Sequence, residues 1–195
     1  GPVTDETGTE PAAADPVSDA GDGVRQYRFA PPPGATTIVL VRHGETMPEH
    51  PDRPFPLLDG QGDPDLAPEG REQARRVCER LAAEHRDGSR IDAVYVSSLR
   101  RTHQTAEPLL GALGLTHVAV PELREVFLGE WEQQFRAKVA AQDPIAVQVF
   151  TEERWDVIPG AESHETLQQR LRVGIEQIAL VRLAQGELDI FSRVL

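Results

Sequence analysis

The chain has 195 residues, 39% of them hydrophobic and 27% charged, with a formal net charge of −12. That length supports one core-bearing domain with or without a tail, and the acidic balance argues against a nucleic-acid binder, which carries a basic face. A single cysteine, Cys78, excludes an intrachain disulfide and gives no sign of an oxidising compartment. No apolar run is long enough to span a membrane, and the N-terminus lacks the basic and apolar regions of a signal peptide. A cytoplasmic location is the expectation.

Residues 1–34 are rich in Pro, Ala, Gly and Asp, with six acids and no Lys or Arg in the first 24. A segment this poor in large apolar residues cannot offset its ordering entropy, so it reads as an acidic disordered tail ahead of a domain at 35–195. Tyr27 and Phe29 are the tail residues suited to pack on that domain, and Pro31–Pro33 form a stiff spacer.

The domain opens on Thr36–Thr46, TTIVLVRHGET. Its β-branched residues fit a buried strand, which ends directly on Arg42, His43, Gly44 and Glu45. Ligands of open α/β sheets bind at carboxyl ends of strands. A guanidinium, an imidazole and a glycine free to turn sharply suit an anion such as phosphate there, although a polar loop start explains the same residues.

Met47–Pro64, with five prolines, reads as a long loop, and loops of that length are usually functional. Pro68 begins a helix to about Arg86, with Ala74, Val77, Cys78, Leu81 and Ala82 as its apolar stripe. Ile91–Val96 is a second strand. It leads through Ser97 and Ser98 into a helix opening on Arg100 and Arg101, where two cations oppose the dipole and call for an acid or an anionic ligand, although a solvated arginine pair explains the same residues equally well. His117–Val120 is a third strand, Leu123–Trp131 a compact loop, Asp143-Pro144 the start of a helix to about Phe150, and Trp155 a candidate to pack over the site. Ser163 caps a helix to about Ala184 with Leu167, Leu171, Ile175 and Ile178 on one side, and Leu188–Phe191 is a final short strand. Alternating strands and helices predict a layered α/β sheet.

Together these segments resemble the histidine phosphatase superfamily, the phosphoglycerate mutase-like fold. LVRHGET at 40–46 is similar to its signature, SSLRRTHQTA at 97–106 to its second motif and LREVFLGEWE at 123–132 to its third. Asp63–Ala74 is similar to the family pattern before and within the first helix, and PGAES at 159–163 to the lead into the last long helix. The resemblance implies a three-layer α/β/α sandwich around a mostly parallel sheet. It implies His43 as nucleophile through a phosphohistidine, Arg42 and Arg101 as phosphate ligands, Glu125 as general acid and base, and Gly44 and Thr46 as pocket residues. It implies no metal and no cofactor, the arginines supplying positive charge, and a small phosphorylated substrate. Gln104-Thr105-Ala106 and Gly129–Glu132 look more like the phosphatase branch than the mutases, with phosphoglycerate mutase-type transfer as the minor alternative.

The sequence departs from the family near its end. A family strand there closes on a His-Gly motif whose histidine faces the first across the phosphate, whereas here Ser192 is followed by Arg193 and no His-Gly follows His43. An altered or truncated C-terminus, an arginine replacing the histidine in a weakened enzyme, and a non-catalytic phospho-ligand-binding relative all account for this. The first is favoured, leaving a fold incomplete at its C-terminus and a final strand open to association, a homo-oligomer included. Met47–His50 stand where the family often has a pocket asparagine, and Gln133 where a glycine is usual.

Overall fold

A computed structural model describes residues 36–184 and 190–194. The tail at 1–34, the domain boundary at 35 and the predicted strand start at Leu188 lie outside them. Strand β1, Thr36–Leu40, pairs in parallel with β6, Ile190–Val194, Val39 standing opposite Arg193. Strand β4, Val94–Val96, pairs in parallel with β5, His117–Ala119. Helices α1 (Pro68–Arg86) and α2 (Arg100–Leu113) follow β1 and β4 in the chain, and α5 (His164–Ala184) precedes β6.

The two faces of β4 define the layering. Val94 packs on a cluster of Leu81, Ala82 and Leu109 that Val39, Val77, Cys78, Ile91 and Leu113 complete, so α1 and α2 cover this face. The hydroxyl of the next residue, Tyr95, accepts a 3.0 Å hydrogen bond from Arg182 Nε on α5. Successive strand side chains point to opposite faces, so α5 lies on the other side. This helix–sheet–helix order agrees with the expected α/β/α arrangement.

Helix α1 has the bounds its sequence predicts, with Pro68 in its first turn and Glu69 complementing the dipole there. Cys78 packs at the edge of the core, where burial pushes its thiol pKa up. Helix α5 also begins as expected, the Ser163 hydroxyl accepting from Thr166 N at 3.1 Å. Its stripe differs. Ile175 is 41% exposed, while neighbouring Gly174 is buried, since a Cβ there would sit 2.9 Å from that of Glu122. The helix approaches the 121–123 turn through the glycine.

Other boundaries shift as well. The second strand is three residues, not six, and the last strand runs on past Phe191 to Val194. The 47–64 segment is not purely loop: β2 (Leu57–Leu58) and β3 (Gln61–Gly62) form an antiparallel hairpin. Asp59 and Gly60, both at positive φ, make the tight turn that Asp-Gly favours. A helix α3, Phe135–Ala140, comes before α4, Pro144–Glu152. Both border a second core in which Trp131, Ala146 and Ile158 are buried against Leu128, Phe135, Ile145 and Trp155. Ile158, 1% exposed, contributes roughly 1.5–3 kcal/mol on burial. No helix among the described residues is long and apolar enough to cross a membrane.

Candidate active site

The segment that follows β1 is held by backbone contacts to the segment that leads into α1. Ala67 N donates to Glu45 O at 2.9 Å and Met47 N to Asp65 O at 2.8 Å, and Thr46 bridges Leu66. Gly44 matters here for proximity and not, as its position suggests, for unusual dihedrals. It is absent from the positive-φ residues, but a Cβ on it would lie 2.3 Å from Gly70 O, and one on Gly70 would lie 2.0 Å from Glu45 O. Two glycines let a strand end and a helix start meet at backbone distance.

That junction places His43 half-buried, with Nδ1 2.8 Å from the carbonyl oxygen of Gly44. A carbonyl only accepts, so Nδ1 carries the proton and Nε2 keeps its lone pair. Burial holds the imidazole pKa below its ordinary value, and the charges of Arg101 and Arg42 act in the same direction, against the Gly44 hydrogen bond and the charge of Glu125. All three charged residues expected at the site therefore act on His43.

Arg101 is 6% exposed at the start of α2, and burial lowers its pKa. Its Nη1 donates to Gly62 O at 3.0 Å, while Glu125, Asp63 and Glu132 supply compensating negative charge. Its neighbour Arg100 has the acid that the helix start calls for: Asp63 accepts from Arg100 N at 2.7 Å and from its Nε at 3.0 Å. Thr105, one turn on, accepts from Gly44 N at 3.0 Å and donates to Arg101 O at 2.7 Å. One hydroxyl thus joins the segment bearing His43 to the residue bearing the buried guanidinium.

Glu125 lies exposed in the loop after the 121–123 turn, with its backbone carbonyl held twice. Gln61 Nε2 donates to it at 2.8 Å and Arg170 Nη2 at 2.9 Å. Glu132 adds a further tie, its carboxylate accepting from Gly62 N and Leu128 N, each at 2.6 Å. The β2–β3 hairpin therefore touches both sides of the site, Gly62 receiving Arg101 and Gln61 holding Glu125.

Gln61, Glu132, Arg170 and the linking role of Thr105 escaped the sequence reading. Two signals were present: Asp59-Gly60 marks a hairpin, and Arg170 falls between Leu167 and Leu171 on the apolar stripe of α5, where a charge needs a partner. Thr46 contributes through its backbone bridge. Trp155 lies on the second core, its Nε1 donating to Glu162 O at 2.8 Å and its ring stacked 5.2 Å from His164.

The remaining histidines make other contacts. His85 Nδ1 accepts from Ile91 N, His50 Nδ1 accepts from Asp52 N, and the His103 ring meets His117 edge-on at 4.6 Å. The register puts the backbone of Arg193 beside Val39, four residues short of His43, so the residue at the motif position of the second histidine is not level with the first.

The sequence profile of the histidine phosphatase superfamily (branch 1) matches residues 38–187. The chain is 35% identical over 144 residues to phosphoglycerate mutase-like protein 4 of Arabidopsis thaliana, covering 72% of this chain and 59% of that protein. It is 36% identical over 147 residues to the metal-independent phosphoserine phosphatase of the same plant, covering 74% and 58%. The chain thus spans about three-fifths of the length of these curated relatives. Among solved structures, a mycobacterial glucosyl-3-phosphoglycerate phosphatase complexed with VO3 superposes with a TM-score of 0.57 at 26% identity, over 81% of this chain and 73% of that one. With the motifs in family order and the fold in agreement, the chain belongs to the histidine phosphatase superfamily.

Proposed function

We propose that this chain is a metal-independent phosphomonoesterase acting on a small phosphorylated metabolite through a phosphohistidine at His43. The observation that carries the reading is the convergence of Arg42, Arg101 and Glu125 on an imidazole whose Nδ1 is tied to Gly44 O. The free Nε2 attacks phosphorus, the N–P bond forms as the ester P–O bond breaks, and Glu125 gives its proton to the leaving oxygen. Water then attacks phosphorus, Glu125 takes its proton, and the N–P bond breaks to free His43 and phosphate. Arg42 and Arg101 hold the phosphoryl oxygens and stabilise charge in transit. Metal independence is supported by these guanidinium charges and by the similarity to a relative named as a metal-independent phosphoserine phosphatase. A cytoplasmic location forms part of the proposal.

A second reading, a phospho-ligand-binding relative with little turnover, is favoured by Arg193 following Ser192 where the family resemblance expects the second histidine. Hydrolysis of p-nitrophenyl phosphate in the presence of EDTA, compared with a His43→Ala variant, separates the two. The proposal expects turnover that His43→Ala abolishes, with an acid-labile phosphoenzyme trapped on rapid quenching. Phosphate binding without hydrolysis by a folded protein would establish the second reading instead.

A further inference from the structure

We infer that Arg170, on α5, is a positioning residue that sets the place of Glu125 beside His43. Every N–H of its guanidinium is used. Nε donates to Glu162 Oε1 at 2.6 Å, and Nη2 to Glu162 Oε2 at 2.8 Å and Glu125 O at 2.9 Å. Nη1 donates to Glu122 O at 2.8 Å and Arg124 O at 2.7 Å. A guanidinium has five such donors in a rigid fork, and here three of them collect the carbonyls on and around the residue that bears the acid.

The clamp is anchored from below. The Glu162 carboxylate is 7% exposed. Burial pushes its pKa up, but the Arg170 bonds and the Phe127 N–H outweigh this and hold the pKa below the usual carboxylate range. Glu162 Oε2 accepts from Phe127 N at 3.1 Å, and Glu162 N donates to Phe127 O at 2.9 Å. The loop from 122 to 127 is thereby fastened to α5 and its lead-in by charge-assisted bonds. A loop otherwise free to move in water is given one backbone path, and general acid catalysis depends on such placement within hydrogen-bond reach.

This inference rests on Glu125 as the general acid. The test compares wild type, Arg170→Met, Arg170→Lys, Glu125→Gln and the Arg170→Met/Glu125→Gln double variant, each checked for a native near-UV circular dichroism spectrum. A p-nitrophenolate leaves without protonation, whereas an alkoxide needs the acid. Arg170→Met is expected to reduce kcat/KM for a primary alkyl phosphate about 10-fold or more beyond its effect on p-nitrophenyl phosphate, a part of the 10²–10⁴-fold worth of a general acid. Arg170→Lys fails to restore the ratio, because one ammonium cannot fill the fork, and the double variant loses no more discrimination than Glu125→Gln. Equal losses on both substrates in a folded variant would overturn the inference.

A readout without turnover distinguishes failure of the inference from failure of the phosphatase reading. The charge of Glu125 raises the His43 pKa, so its displacement lowers that pKa, whereas simple loss of a cation would raise it. In NMR titration, Glu125→Gln and Arg170→Met are both expected to move the His43 midpoint down, and the double variant no further than Glu125→Gln. A midpoint that Arg170→Met leaves unchanged or raises sinks the positioning role, whether or not the wild type hydrolyses phosphate esters.

Discussion

The hydroxyl of Thr105 holds the backbone amide of Gly44 at 3.0 Å across 61 residues of sequence, and the same hydroxyl donates to Arg101 O at 2.7 Å. Thr105→Val keeps the shape and removes both bonds, leaving the buried Gly44 N–H without a partner. The expected loss is about 1–3 kcal/mol of stability, measured by guanidinium unfolding, together with a fall in kcat. Thr105→Ser should retain most of both; equal damage by the two variants would mean that the methyl group matters more than the hydroxyl.

Gly44 and Gly70 supply a steric prediction. Either one changed to alanine forces a Cβ to within 2.3 Å or less of a backbone oxygen, and backbone cannot yield as a side-chain tip does. Destabilisation on the order of 1–3 kcal/mol, the range of overpacking, should appear as a lowered Tm for each variant. Gly111 has nothing within 4 Å of its added Cβ, and Gly111→Ala should leave Tm unchanged or slightly raised.

The His43 imidazole is expected to titrate below the ordinary value of about 6.5, because burial disfavours its charged form. A base with a depressed folded pKa binds protons more tightly when unfolded. Its contribution to stability is therefore present above about pH 6.5 and is lost as pH falls toward the folded pKa. The kcat/KM of a phosphatase using neutral His43 should likewise persist to pH below 6.5 before its acid limb begins. NMR titration of His43 gives the midpoint directly, and a value above 6.5 would contradict the burial argument.

Glu132 offers two oxygens to two amides, Gly62 N and Leu128 N. Glu132→Gln keeps one acceptor oxygen and turns the other into a donor facing an N–H. A loss of about 1–3 kcal/mol follows from the unpaired amide. The variant also removes a negative charge from the surroundings of Arg101. Thermal unfolding and phosphate affinity, measured together, should show lower stability without loss of anion binding.

Local signals along the chain set the grammar of this protein. Pro68 and Ser163 mark helix starts, β-branched residues mark β1, and LVRHGET with the motifs that follow marks the family and its expected site residues, because each of these signals acts over a few neighbouring residues. Where the structure departs from these expectations, the local signals are weak or absent. Helix α3 has no cap that its sequence announces, and Ile91–Val96 is apolar enough for a longer strand than the three-residue β5 beside it supports. Tertiary structure alone decided the rest. Gly44 is required by Gly70 and not by its own dihedrals, Thr105 joins the segment after β1 to α2, Gln61 reaches Glu125 and Arg170 gathers three carbonyls from a loop more than forty residues away. Each of these is a hydrogen bond or an atomic approach between segments distant in sequence. The residue types state only which bonds can form; the packing of strand, hairpin and helix determines which partners come within 3 Å.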